Sequence, residues 1–171
     1  MLDNRYMPKY RFKSVCAITP ADLKAMGVEG LLLDIDNTLI YDETLTPLPG
    51  TVEWVKKMQS ANIPLAIVSN AIPLRVWVVA KKFGIKNYIY SAKKPRVDGL
   101  MKAAEMLQKP IDRLAMVGDQ LKTDMLAANL AGAIAVFTDR ARAEKLFKFY
   151  LQKARDGERE LLEDFERRKR E

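Results

Sequence analysis

Residues 31–39 read LLLDIDNTL, and the fold follows from them. An unbroken leucine run is the pattern of a strand buried on both faces, as in a parallel sheet, so the polar end of the run must emerge at the sheet's edge. Two carboxylates, Asp34 and Asp36, leave the sheet together. If the extended backbone continues past Leu33 they fall on one side, about 7 Å apart by strand rise, close enough to share a cation. Alone, an acidic pair after a strand reads first as a solvated turn with Asx bonding, so the rest of the chain has to decide.

The chain has 171 residues, 49% hydrophobic and 30% charged, the profile of one ordinary globular domain. Its N-terminus is polar and basic and no apolar run approaches a membrane span, so a cytoplasmic protein is expected. The lone cysteine, Cys16, excludes an internal disulfide, and Asp22 stands where a cysteine phosphatase of the C-x5-R type needs its arginine. The absence of histidine excludes a Ser-His-Asp triad, a phosphohistidine and a His-liganded zinc, which leaves acid–base work to carboxylates, Lys or Tyr. The formal charge of +7 favours anionic partners.

Along the chain, TPADLKAMG predicts a short helix capped by Thr19, with Pro20 first and Gly27 as stop. Thr51 to Ala61 reads as an amphipathic helix with Val52, Val55 and Met58 inward. Strands follow at Pro64–Val68, Tyr88–Tyr90, Leu114–Val117 and Ile134–Phe137. Between them lie helices Pro73–Phe83, Val97–Leu107 and Leu121–Leu130. Strands alternating with helices on short connections predict right-handed βαβ units, hence an α/β, Rossmann-like three-layer sandwich with a parallel five-stranded sheet.

In such sheets ligands bind beyond the carboxyl ends of the strands. Asp34 and Asp36 follow the first predicted strand and Ser69 the second, Lys94 lies in the loop after the third, and Asp119 follows the fourth. Asp34, Asp36, Asp119 and Asp124 form a set of hard oxygen ligands suited to Mg²⁺, and Lys94 and Ser69 are donors for a phosphate. With no histidine available, one aspartate attacking phosphorus while another moves protons is the economical chemistry, provided cations neutralise the equatorial oxygens.

The segments DIDNTL, VSN, KKP and GDQLKTD, in this order and on these strand ends, resemble the four motifs of the haloacid dehalogenase-like (HAD) phosphatases. The wording is most similar to subfamily IIIA and the YqeG family within it, over roughly residues 6–140. The resemblance implies Asp34 as nucleophile and Asp36 as acid/base. It implies Mg²⁺ held by the Asp34 carboxylate, the Asp36 backbone carbonyl and Asp119, with Asp124 a direct or water-mediated ligand. Ser69 and Lys94 would bind the phosphoryl group, with Thr38 and Asn70 helping to orient it.

Ser69 lies 33 positions after Asp36, and Lys94 25 after Ser69, intervals already filled by one helix and one strand each. The cap domain that relatives acting on small metabolites resemble one another in carrying has no room here. An open site suits a phosphate on a large object. The YqeG group is similar to a phosphatidylglycerophosphate phosphatase, which implies a phospholipid head group as a candidate substrate and a peripheral place on the inner membrane face. The aromatic and basic N-terminus (Tyr6, Lys9, Tyr10, Arg11, Phe12, Lys13) suits an anionic surface, although such residues also pack a core with their charges in water. The alternative is a HAD-like module that binds a phosphorylated or nucleic-acid partner without turnover. Nucleic acid is disfavoured because acidic side chains precede the terminal RRKRE. Oligomeric state carries no expectation. Residues 1–140 are expected to form the phosphatase domain, and 141–171 a helical extension packed on it or projecting from it.

Overall fold

The computed structural model describes residues 3–139, so the expected C-terminal helical extension lies outside the described residues. The first helix, α1 (Pro20–Met26), starts as its sequence requires: Asp22 N–H donates to Thr19 Oγ1 at 3.1 Å, and Thr19 N–H donates to the Asp22 carboxylate at 2.8 Å. This reciprocal box satisfies two of the first-turn donors, and Gly27, at φ +70°, closes the helix in the left-handed region.

The chain then enters β2 (Gly30–Leu33), whose four residues are all buried. Gly30 is required by close approach, because a Cβ there would stand 2.8 Å from a Leu114 methyl. After β2 come α2 (Thr51–Ser60), β3 (Leu65–Val68), α3 (Pro73–Phe83), β4 (Asn87–Ile89), α4 (Asp98–Leu107), β5 (Leu114–Gly118), α5 (Leu126–Ala131) and β6 (Ile134–Thr138).

Among the described residues the sheet has six strands, not the five expected. Tyr10–Phe12 form an additional edge strand, β1, parallel to β6, and the order is β1-β6-β5-β2-β3-β4 with every pair parallel. Two aromatics interleaved with Lys9, Arg11 and Lys13 carry too little pattern to stand out as a strand. Tyr10 and Phe12 pack half-buried against the core while Arg11 points outward to an ion pair with Asp139 at 2.8 Å. The aromatics of this segment are thus used as packing, and the support they lent to membrane contact falls away. Among the described residues no helix is long and apolar enough to cross a membrane.

The central strand serves two cores. Leu31 and Leu33 face Val55, Met58, Val76, Val79 and Phe83 of α2 and α3, whereas Leu32 faces the other layer, built from Leu100, Ala103, Met125, Ala127 and Ala128. This is the side-chain alternation of a strand covered on both faces. In α2 the buried residues are Thr51, Trp54, Val55 and Met58, and Val52 packs partly buried against the same core as expected; Trp54 joins them, its indole N–H reaching the Ile18 carbonyl at 2.8 Å. The expected helix from Leu121 opens instead as a π-turn (Leu121–Met125) before α5, with Met125 N–H bonding back five residues to Gln120 O at 3.1 Å. No inserted domain separates β2 from β3 or β3 from β4.

Candidate active site

Asp34 stands directly beyond β2, its N–H still in the ladder to Val117 O at 3.0 Å. The backbone then curls: Leu39 and Ile40 N–H both donate to Ile35 O at 3.0 and 3.1 Å, Asn37 N–H donates to Ile40 O at 2.8 Å, and Asn37 takes φ +56°, a conformation Asn tolerates better than most residues. The strand therefore does not continue through Asp36, and the two aspartates find different partners.

The Asp34 carboxylate accepts from Lys94 Nζ at 3.1 Å, and the same ammonium donates to Asp124 Oδ1 at 2.6 Å. Asp34, Asp119 and Asp124, all buried, each bring a carboxylate oxygen within 4.8 Å of the others. Asp124 arrives there through the π-turn, and its other oxygen accepts from Gln120 N–H at 3.2 Å. A π-turn widens the first helical turn by one residue, a device that recurs at functional sites. Gly118 makes room: a Cβ at that position would collide with the Asp124 carboxylate.

Lys94 is aimed by Asn70, whose side-chain amide grips its backbone at both ends, accepting from Lys94 N–H at 2.7 Å and donating to Lys94 O at 3.1 Å. The expectation that Asn70 orients a phosphoryl group thus meets an amide engaged in holding the lysine. Ser69 is buried beside it, its Oγ accepting from Ala71 N–H at 3.1 Å. Thr38 is also buried, and among the described residues its Oγ1 has no hydrogen-bond partner; it lines a cavity of about 160 Å³ with Ser14, Cys16, Asn37 and Asp139.

Asp36 is drawn away from the other carboxylates by a residue the sequence reading missed. Arg75, in the first turn of α3, donates from two nitrogens to the two Asp36 oxygens at 2.7 and 2.6 Å, and donates again to Thr44 O at 2.8 Å. The signal was there: an arginine at the third position of a helix opened by Pro73, where the helix dipole favours an acid.

Burial dominates the electrostatics. It pushes the Asp34 carboxyl up to about 7, the Asp124 carboxylate adds to the rise, and the Lys94 ammonium opposes it. For Lys94 burial works toward neutrality, but Asp34 and Asp124 outweigh it and hold its pKa above the ordinary value. Three carboxylates face one ammonium in a buried space. Such an excess of hard oxygen charge, with Gly118 clearing room for it, fits a small divalent cation such as Mg²⁺. The larger concavity of about 350 Å³ between Asn62, Pro64 and Lys86 lies at the amino ends of β3 and β4, away from this chemistry.

The family model described as "Hydrolase: haloacid dehalogenase-like hydrolase" matches residues 19–132. The chain belongs to the haloacid dehalogenase-like hydrolases. It is 33% identical over 132 residues to the "Probable phosphatase YqeG" of Bacillus subtilis (strain 168), covering 77% of this chain and 76% of that protein. Among solved structures it is similar in fold to an uncharacterised protein from Listeria monocytogenes serotype 4b, with TM-score 0.56, 19% identity and coverage of 69% of this chain and 84% of that one. It is likewise similar to D,D-heptose 1.7-bisphosphate phosphatase from B. bronchiseptica, solved with magnesium and phosphate, with TM-score 0.55, 15% identity and coverage of 63% and 79%.

Proposed function

We propose that this chain, a phosphatase of the HAD-like hydrolase family, is a Mg²⁺-dependent phosphomonoester hydrolase that works through an aspartyl-phosphate on Asp34. The observation that carries the reading is the buried convergence of Asp34, Asp119 and Asp124 around the Lys94 ammonium at the carboxyl edge of a parallel sheet. Asp34, Asp119, Asp124 and the Asp36 backbone carbonyl would hold the metal, which when bound supplies positive charge against the phosphoryl oxygens.

In the first step an Asp34 oxygen attacks phosphorus while the bond to the leaving oxygen breaks and its electron pair leaves with that oxygen, which takes a proton from Asp36. In the second, water attacks the same phosphorus, Asp36 takes back a proton, and the bond to Asp34 breaks to release phosphate. Lys94 balances charge on the equatorial oxygens, the Ser69 hydroxyl donates a hydrogen bond to them, and Asn70 acts by fixing Lys94.

The substrate class proposed is a bulky phosphomonoester, a phospholipid head group such as that of phosphatidylglycerophosphate, met at a membrane surface from the cytoplasmic side. Two features support it: neither interval around Ser69 holds a cap, and the net charge of +7 suits an anionic surface. The test is phosphate release by purified protein with Mg²⁺ from a panel of phosphomonoesters that includes phosphatidylglycerophosphate in mixed micelles, with Asp34→Asn as control. Release by the wild type and none by the variant is expected. Silence across the panel, with a phosphorylated ligand still bound by Asp34→Asn without Mg²⁺, would replace hydrolysis with a binding role.

A further inference from the structure

Arg75 breaks a local rule. It occupies the third position of α3, where an acidic side chain would complement the dipole and a Glu or Gln would complete a capping box, and the N-cap Ile72 offers no side-chain bond to compensate. Positions that violate local preference in this way are commonly functional. What Arg75 gains is Asp36, met in parallel fork geometry by two nitrogens at 2.7 and 2.6 Å, with both side chains only about one-fifth exposed, at 20% and 22%. Paired carboxylate and guanidinium planes restrict rotation as a single contact cannot.

The fork is itself anchored. Arg75 also donates to Thr44 O at 2.8 Å; Thr44 is buried and its hydroxyl is tied to Tyr41 O at 2.8 Å. Two helical turns further along α3, Lys82 Nζ donates to the next carbonyl, Leu45 O, at 2.7 Å. One face of α3 thus fastens both Asp36 and the loop that follows it. A carboxylate offers about four acceptor directions, and the fork takes one on each oxygen, which leaves each a second direction for a proton.

We infer that Arg75 is a positioning residue for proton transfer: it holds the Asp36 carboxylate at the angle from which a proton reaches the leaving oxygen as the phosphorus–oxygen bond breaks. This rests on the hydrolase reading above. Asp36 serves both steps, but only in the first does the leaving group matter: an alkoxide needs that proton and a nitrophenolate does not, so leaving-group dependence of the first step, read as pre-steady-state release of the alcohol or phenol, separates positioning from mere structural support.

The experiment compares glycerol phosphate with p-nitrophenyl phosphate, both with Mg²⁺, for the wild type, Arg75→Ala and Arg75→Lys, with far-ultraviolet circular dichroism and melting of each. For Arg75→Ala, the first-step rate on the alkyl ester, read as pre-steady-state release of the alcohol, should fall on the order of 100-fold, the usual range for a lost acid–base contribution, with KM unchanged. The pre-steady-state release of nitrophenolate should lose no more than about fivefold, while the later attack of water slows alike for both esters. Added guanidinium should restore part of the alkyl rate, and Arg75→Lys, which keeps the charge but not the fork and guards against a folding failure of the alanine variant, should fall between. Equal losses of the first-step rate on both esters, or a rise in KM with kcat intact, would overturn the inference, the latter by making Arg75 a substrate ligand. Wild type silent on both esters and on phosphatidylglycerophosphate would overturn the hydrolase reading and take this inference with it. If only phosphatidylglycerophosphate is turned over, it is itself an alkyl ester and carries the alkyl arm, in which an undiminished first step in Arg75→Ala would overturn the inference.

Discussion

The Asp34 carboxyl is held in the folded chain at a pKa of about 7, against an ordinary 3.8, chiefly because it is buried and secondarily because Asp124 is near. Between those two values the folded state binds more protons than the unfolded one, so stability falls as pH rises from about 4 to about 7 and is flat above. The cost is absent at pH 4 and complete at pH 8. The span is roughly three pH units, and at about 1.36 kcal/mol each it sets an upper figure of about 4 kcal/mol. Asp34→Asn keeps the shape and an acceptor for Lys94 but cannot ionise. It should therefore be more stable than wild type by about 1–4 kcal/mol at pH 8 in EDTA, with the advantage shrinking toward zero near pH 4. The Lys94 pKa is raised, so its contribution is fully present below 10.5 and does not distort this window. Urea unfolding at a series of pH values measures the difference, and millimolar Mg²⁺ should narrow it by stabilising only the wild type. A variant no more stable than wild type at pH 8, or an advantage that does not change with pH, would refute the reasoning. A group that weakens the fold while disabled chemistry strengthens it is the signature of a site kept for activity.

Gly118→Ala should cost about 1–3 kcal/mol in denaturant unfolding and weaken Mg²⁺ binding, because the new methyl collides with an Asp124 carboxylate tied at 2.6 Å to Lys94. Calorimetric Mg²⁺ titration should show Asp119→Asn losing more affinity than Asp36→Asn, since the Asp36 carboxylate is turned to Arg75; equal losses would contradict that division. Trp54→Phe removes the bond to Ile18 O and should lower stability by about 1–2 kcal/mol with turnover per folded molecule unchanged, read from urea midpoints and specific activity.

The leucine run, the helix bracketed by Thr19 and Gly27, and the helix from Pro73 to Phe83 were legible because burial on two faces and capping chemistry are written locally. The polar strand ends were legible for the same reason, since an abrupt change from apolar to acidic residues marks where a buried strand surfaces. Three things were not. The edge strand at Tyr10–Phe12 is short and half-exposed, so its pairing with β6, far away in sequence, leaves no periodic trace. The parting of Asp34 from Asp36 depends on a curl set by hydrogen bonds to Ile35 O rather than on strand rise. Arg75 lies 39 positions from Asp36, and only the topology that sets α3 against the loop after β2 brings them together.

The charges at this edge stand on unequal ground. Asp34 and Asp119 extend from β2 and β5, interior strands buried along their whole length and paired on both sides, so their backbones open only when the whole molecule does. Lys94 follows β4, an edge strand of three half-buried residues, and its main chain is moored by one asparagine amide. Strands of that kind belong to the parts of a protein that exchange their amide hydrogens first. Local opening therefore withdraws the cation before it disturbs the anions, and the carboxylate cluster is left intact with its charge unbalanced. Asn70 shares the task of preventing this with the Ser91 and Ala92 N–H groups, which bond to Ala71 O and Ser69 O at 2.9 Å, and together they set how long the buried acids keep their own counter-ion.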